Sequence, residues 1–151
     1  MNMYMKRALD LAKQNVAEGG QPFGAVLVKD DEIIGEGVNE LHLKHDVSGH
    51  AELLAIRRAQ HKLQTSHLKG AVMYASGEPC PMCYTAMYFS NIRKVYYSVS
   101  IEEAAKKGLG ASKILYDDFK KGRTERDTME MIHSPLSEGE VDPLSFWYKR
   151  R

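Results

Sequence analysis

The chain has 151 residues, of which 43% are hydrophobic and 27% charged, and its formal net charge is +1. We expect a single globular domain, residues 1–151, that folds without a disulfide framework. The balanced charge disfavours nucleic acid as a partner, and no apolar run is long enough to span a bilayer. The N-terminus shows no signal-peptide pattern, which predicts a cytoplasmic protein.

Stretches with helical and strand-like patterns alternate along the chain. In chain order they are helix 3–18, strands 25–29 and 32–38, loop 39–49, helix 50–60, strand 71–75, helix 81–90, strand 94–99, helix 101–107, strand 128–132 and a helical turn at 143–149. Asp30-Asp31 between the first two strands predicts a hairpin turn, and Pro81 is tolerated in the first turn of a helix. This alternation indicates a layered α/β/α domain.

The only two cysteines, Cys80 and Cys83, have the spacing C-x-x-C. They are too close in sequence to cross-link distant loops, so the pair is a redox dithiol, half of a metal site, or two buried thiols. Both lie where a strand is predicted to turn into the helix that Pro81 opens. The positive end of that helix favours thiolates.

A second motif, H-A-E, places His50 and Glu52 at the start of another predicted helix. Residues two apart in a regular helix do not face each other, so these two side chains converge only if His50 lies at or before the helix cap. Imidazole and thiolate are ligands that zinc prefers. We therefore predict that His50, Cys80 and Cys83 bind Zn²⁺, leaving one position open for water, with Glu52 as the proton carrier.

Two other interpretations of the cysteines explain fewer residues. A redox dithiol gives no role to His50 and Glu52. A purely structural zinc site needs a fourth ligand, for which the candidates are His42, His45 and His67, and it usually combines C-x-x-C with a second closely spaced pair that this sequence lacks.

The motifs together resemble a known family. They are G-G-x-P-F-G-A-V from Gly19, E-G-V-N ending at Asn39, H-A-E, and E-P-C-P-M-C. H-x-E followed by P-C-x-x-C is the signature of zinc deaminases acting on nucleobases. Over nearly its whole length the chain resembles the cytidine deaminase-like superfamily, and within it the small bacterial guanine deaminases. The resemblance implies an α/β fold, a three-layer α/β/α sandwich around a mixed five-stranded sheet.

The resemblance also implies roles for residues around the metal. Asn39 would hydrogen-bond the base, Phe23 and His50 would form its stacking walls, and the backbone N–H of Ala51 would contact a carbonyl or ring nitrogen. Phe89 falls where these relatives carry an aromatic residue from the partner subunit. A homodimer is implied, with C-terminal segments exchanged as in several relatives, and the ligand is a small-molecule nucleobase.

The chain departs from guanine deaminases in two places. Their acidic stretch after the short helix is replaced by Gly108–Ser112, and the tail after Trp147 is short. Acidic substitutes are available at Glu138, Glu140 and Asp142. The predicted reaction is guanine to xanthine plus ammonia. The alternatives are deamination of cytosine, of another amino-heterocycle or of adenosine in tRNA, or a catalytically silent, zinc-stabilised binding module, which would have no need of Glu52.

Overall fold

A mixed sheet of four strands forms the centre of the computed structural model, which describes residues 1–151. The elements in chain order are α1 (Met3–Ala17), β1 (Gly24–Lys29), β2 (Glu32–Val38), α2 (Ala51–Leu63), β3 (Val72–Gly77), α3 (Pro81–Phe89), β4 (Lys94–Val99), α4 (Ile101–Lys106), α5 (Ala111–Phe119) and α6 (Pro143–Lys149). None of these helices combines the length and the apolar character needed to cross a membrane.

The strands lie in the order β2-β1-β3-β4. Strand β1 pairs antiparallel with both β2 and β3, whereas β3 pairs parallel with β4 across the connection through α3. Asp30 and Asp31 have φ angles of 50° and 59°, as a tight hairpin turn requires, which confirms the turn predicted there. Because β4 is the last strand of the sheet, one of its backbone edges has no partner strand.

The two faces of the sheet bury different side chains, because successive residues of a strand point to opposite sides. Val26 and Val28 pack with Met5 and Ala8 of α1 on one face. Ala25 and Leu27 belong to the larger core, which α2 and α3 complete on the other face. The α/β/α layering expected from the sequence is therefore observed.

The chain divides into two compact units, Met1–Asp117 and Asp118–Arg151. The first contains the sheet and its covering helices. The second contains α6, which Asp142 caps by accepting a hydrogen bond from the backbone N–H of Ser145. Within this second unit, Asp118 accepts hydrogen bonds from the backbone N–H groups of Asp127 and Thr128, each at 3.0 Å. That the whole chain behaves as one domain stays a prediction.

The sequence-based prediction was wrong about the fifth strand. Residues 128–132 form no strand, and Met129, Met131 and Ile132 are exposed. Their alternating pattern is typical of a strand, but a strand forms only where a neighbouring strand supplies backbone hydrogen bonds. The helix α5 was not predicted at all, although Lys113 and Asp117 lie four residues apart and form an ion pair at 2.7 Å, a pairing typical of helices.

Candidate active site

A cavity of about 230 Å³ opens beside the C-terminal end of β3. The starts of α2 and α4 contribute to its wall, and so do residues preceding β1 and following β2. The lining residues are Gln21, Phe23, Asn39, Leu41, His50, Ala51, Glu52, Gly77, Glu78, Cys80, Val99, Ser100, Ile101, Ala104, Leu109, Ala111 and Ser112. Two of the predicted metal ligands, His50 and Cys80, and the predicted proton carrier Glu52 therefore line one cavity, whereas Cys83 is fully buried and not part of its lining.

His50, Cys80 and Cys83 bring their ligand atoms within 4.8 Å of one another. The Nδ1 atom of His50 lies 3.5 Å from the Cys80 sulfur and 3.7 Å from the Cys83 sulfur. A tetrahedral zinc ion, with bonds of about 2.3 Å to sulfur and about 2.0 Å to nitrogen, holds such atoms about 3.6 Å apart. The two nitrogen–sulfur distances thus match those expected around a tetrahedral zinc ion.

No other histidine, cysteine or acidic residue belongs to this group, and His42, His45 and His67 lie outside it. Three ligands leave one position of a tetrahedral ion open, whereas structural zinc sites use four protein ligands. The geometry therefore favours the catalytic interpretation of the C-x-x-C motif over the structural one.

The two thiols are not equivalent. A hydrogen bond with Cys83, reinforced by His50, lowers the pKa of Cys80 to about 4. The hydrogen bond with Cys80 and burial beside Glu52 raise the pKa of Cys83. Contact with Cys80 raises the pKa of His50. A divalent cation held by His50, Cys80 and Cys83 would supply the positive charge that lets both thiols ionise, as in a zinc–thiolate site.

The local backbone explains how His50 and Glu52 converge. His50 is the N-cap of α2 and has extended φ and ψ angles of −82° and 150°, so Glu52 lies in the first helical turn. Cys80 is the N-cap of α3 with Pro81 as its first residue. Both helices therefore direct their positive ends toward the ligands, as the sequence predicted.

Glu52 is only 6% exposed. Burial is the main influence on its carboxyl group and raises its pKa, against the opposing effect of a hydrogen bond from Cys83. A carboxylate that is shielded from water and has a raised pKa takes up a proton readily at neutral pH. This is the property that a proton carrier needs.

Four of the predicted base-contacting residues line the cavity, namely His50, Phe23, Asn39 and Ala51. Asn39 is 2% exposed, and its backbone N–H donates to the carbonyl oxygen of Phe23 at 3.2 Å. Ala51 is the first residue of α2, where backbone N–H groups have no acceptor within the helix. The Phe23 ring packs against Gly77, where an added Cβ would lie only 2.9 Å from the ring. The ring can take this position because residue 77 is glycine.

Phe89, by contrast, lies at the end of α3, is 76% exposed and is not among the residues that line the cavity. Its assignment to the site of a partner subunit stays a prediction. The segment 108–112 forms part of the cavity wall through Leu109, Ala111 and Ser112, none of which is acidic. The proposed acidic substitutes, Glu138, Glu140 and Asp142, belong to the C-terminal unit.

Sequence reasoning missed three residues at the site. Gln21 lines the cavity and accepts a hydrogen bond from the side chain of Asn39. Glu78 accepts one from the backbone N–H of Ile101 at 2.8 Å, which links the strand end to α4. Tyr116 of α5 donates to the carbonyl oxygen of Pro79 at 2.6 Å, beside Cys80, and burial raises its pKa to about 12. Of these three residues, only Glu78 belongs to a motif that could have identified it from sequence, E-P-C.

The chain is similar to known proteins over most of its length. Residues 1–99 match the cytidine and deoxycytidylate deaminase zinc-binding region. The guanine deaminase of Bacillus subtilis is 39% identical over 145 residues, which cover 95% of this chain and 91% of that protein. An X-ray structure of guanine deaminase from Bacillus subtilis superposes with a TM-score of 0.88 at 38% identity, covering 99% of this chain and 95% of the other.

Two further relatives match less of the chain. The tRNA-specific adenosine deaminase of Aquifex aeolicus is 41% identical over 95 residues, which are 63% of each protein. A crystal structure of a mutant of NE0047 in complex with 8-azaguanine has a TM-score of 0.66 at 30% identity, covering 70% of this chain and 62% of the other. From the match over residues 1–99 and the grouped His50, Cys80 and Cys83, the chain belongs to the zinc-binding cytidine and deoxycytidylate deaminase family and is a zinc-dependent deaminase.

Proposed function

We propose that this protein hydrolyses guanine to xanthine and ammonia. The observation that carries the proposal is the buried carboxylate of Glu52, which contacts the His50–Cys80–Cys83 group and lines the same cavity as His50, Cys80 and Asn39. A structural metal site has no use for such a carboxylate. The guanine deaminase of Bacillus subtilis supports the choice of base, because its match covers 95% of this chain.

The residues around the cavity would hydrogen-bond the edge of the base and pack against its two faces. Beyond its hydrogen bonds with Gln21 and the Leu41 N–H, the Asn39 amide has a second N–H and a second oxygen lone pair, which would serve as the donor and acceptor that recognition of a base edge requires. The first-turn N–H of Ala51 is available to a carbonyl oxygen or ring nitrogen. Phe23 and His50 would bracket the flat ring. With Leu109 and Ala111 on the wall, the cavity offers apolar surface to the remainder of the base.

Glu52 would move the protons of the reaction. It accepts a proton from the water that adds to the amino-bearing carbon and passes this proton to a ring nitrogen of the base. It then takes the proton of the hydroxyl group now on that carbon and delivers it to the amino group. The C–N bond breaks as the C=O bond of the product forms, and the amino group leaves as ammonia. Zinc, when bound by His50, Cys80 and Cys83, supplies the Lewis acidity that makes water a nucleophile near neutral pH. Burial of Glu52 keeps these proton transfers away from bulk solvent.

The substrate is tested by measuring ammonia release from guanine, cytosine, adenine, guanosine and ammeline with the zinc-loaded protein. We expect guanine to be turned over with the highest kcat/KM. Release from cytosine or ammeline in preference to guanine would reassign the substrate. Ammonia from a tRNA substrate, together with salt-sensitive tRNA binding in a gel shift, would favour the tRNA alternative. One zinc per chain with no ammonia from any substrate would leave only a binding module.

We also propose that the protein is a homodimer that exchanges C-terminal segments. Large aromatic side chains are exposed on α3, at Tyr84, Tyr88 and Phe89, and on β4, at Tyr96 and Tyr97, which lie on opposite faces of the sheet. Beside them, β4 leaves one backbone edge open. The exposed, strand-like residues 128–132 of a second copy would suit this edge as a fifth strand. In such a dimer Phe89 would reach the partner's cavity.

Subunit complementation tests the shared site. Phe89→Ala is expected to lower kcat/KM for guanine about tenfold or more, because stacking on an aromatic ring is lost. When Phe89→Ala chains are refolded together with Glu52→Gln chains, half of the random dimers are mixed and each has one intact site. Ammonia release should therefore recover to about a quarter of the wild-type rate.

The matched control pairs Glu52→Gln with Cys83→Ser, where both defects damage the cavity of their own chain and no site is restored. A monomeric mass by light scattering would contradict the homodimer, and equal activity in the two mixtures would contradict a site shared between the subunits. Phe89→Ala with unchanged kinetics would remove this residue from the site.

A cytoplasmic location is part of the proposal. Cys80 and Cys83 are free thiols. A reducing compartment keeps such thiols available as metal ligands, whereas an oxidising one favours their pairing or modification.

A further inference from the structure

Gln21 and Asn39 both line the cavity and are joined by a hydrogen bond between their side chains, and the Asn15 side chain bonds to the backbone carbonyl of each. We propose that Gln21 determines specificity there by donating a hydrogen bond to an acceptor atom of the base, a carbonyl oxygen or an unprotonated ring nitrogen. This inference rests on the proposed function of the cavity as a nucleobase site. It adds a residue for which the deaminase motifs provide no role.

The orientation of the Asn39 side-chain amide follows from its contact with the backbone N–H of Leu41, a group that can only donate a hydrogen bond. The backbone N–H of Leu41 lies 3.0 Å from the Asn39 side-chain oxygen, so this oxygen is the acceptor. The Asn39 amide nitrogen must then face Gln21, and it donates to the Gln21 side-chain oxygen at 3.2 Å. The Leu41 N–H therefore sets the direction of the hydrogen bond between Asn39 and Gln21.

The hydrogen bond from Asn39 leaves the amide nitrogen of Gln21 as the group that can bind a ligand. Its side-chain oxygen is occupied by Asn39, while its amide nitrogen donates to no other residue of the chain. Gln21 is an exposed residue that lines the cavity, so this N–H₂ group is accessible to a bound molecule. A group that can only donate selects an acceptor on the ligand and disfavours a ligand that presents an amino group at that point.

The backbone beneath Gln21 is fixed although its side chain is exposed. Asn15 of α1 is 2% exposed, and its amide nitrogen donates to the carbonyl oxygens of Gln21 at 2.8 Å and of Asn39 at 2.9 Å. Both protons of the Asn15 amide are thereby used. A Cβ at Gly20 would lie 2.5 Å from the Asn15 amide nitrogen, so glycine is what permits this approach.

The decisive comparison is between Gln21→Glu and Gln21→Ala. A carboxylate at position 21 still accepts the hydrogen bond of Asn39 but has no N–H to offer, so Gln21→Glu removes the proposed donor alone. Gln21→Ala removes both functions. Gln14→Glu, on the exposed face of α1, serves as the matched control for the added charge.

We would measure the Kd of 8-azaguanine by calorimetry and the KM and kcat for guanine, all on zinc-loaded protein. We expect Gln21→Ala and Gln21→Glu to weaken binding and raise KM about tenfold, with Gln21→Glu at least as impaired as Gln21→Ala. Zinc content, Tm and kcat should stay at wild-type values, and Gln14→Glu should resemble wild type. Wild-type affinity in Gln21→Glu would overturn the donor role.

The two hypotheses fail in different ways. If wild-type protein binds 8-azaguanine but releases no ammonia from guanine, the proposed reaction fails, and the Kd values of the two variants still decide the role of Gln21. If guanine is deaminated and Gln21→Glu has the wild-type KM, the reaction stands and the role of Gln21 is refuted. Failure of wild-type protein to bind either base refutes both.

Discussion

Replacing Glu52 with glutamine is expected to lower kcat for guanine by a factor of about 10² to 10⁴, the usual contribution of a positioned proton carrier. Glutamine has nearly the shape of glutamate but cannot hold the transferred proton. Because Glu52 touches the group that would bind zinc without belonging to it, zinc content should remain at one ion per chain. The measurements are single-turnover ammonia release and metal analysis of the same preparation.

The expected stability of Glu52→Gln distinguishes a catalytic role from a structural one. Burial raises the pKa of Glu52, which means that the fold disfavours its charged form. A neutral side chain of the same size removes that unfavourable charge, so Tm should be unchanged or higher. A variant that loses activity together with a large fall in Tm would indicate that Glu52 supports the fold, and our assignment would then be wrong.

A matched control for this substitution is Glu102→Gln. Glu102 also lies in the first turn of a helix, α4, but it is exposed and does not line the cavity. Its replacement should leave kcat and KM unchanged. If both variants lost activity to the same degree, general effects of charge removal would explain the result, and Glu52 would have no special part in proton transfer.

The metal site was predictable from sequence because its ligands and its proton carrier belong to two short motifs, H-A-E and C-P-M-C. His50, Glu52, Cys80 and Cys83 lie at two helix starts, where the chain direction fixes what a side chain can face. Residue type and spacing therefore carried nearly all the information needed. The hairpin at Asp30-Asp31 was predictable for the same reason, since a tight turn restricts its own residues.

Features that depend on distant contacts could not be read in this way. Gln21 acquires its orientation from Asn39, and its backbone is held by Asn15 of another element. Tyr116 meets Pro79 only because α5 packs near the end of β3. Residues 128–132 have the alternation of a strand, but whether they form one depends on a neighbour that local sequence does not specify. Such partners are set by tertiary or quaternary structure.

The second large effect is expected on removal of a zinc ligand. Cys83→Ser should abolish stoichiometric zinc binding and reduce ammonia release to background, because a hydroxyl is a far poorer zinc ligand than a thiolate. Cys83 is fully buried, and serine fits there because it is close to cysteine in size. Circular dichroism then distinguishes loss of the ligand from loss of the fold. His45→Gln, in the exposed loop before α2, is the matched control and should retain zinc.

Zinc should also stabilise the wild-type protein and not the variant. A ligand that binds only the folded chain adds RT ln(1 + [L]/Kd) to its stability, about 4 kcal/mol at a thousandfold excess over Kd. We therefore expect Tm of the chelator-treated wild type to rise when zinc is restored, and Tm of Cys83→Ser to stay constant.

Glu52→Gln should show the wild-type rise in Tm without the wild-type activity. This contrast separates holding the metal, done by His50, Cys80 and Cys83, from moving the proton. A zinc-dependent rise in Cys83→Ser equal to that of the wild type would mean that the ion is held elsewhere.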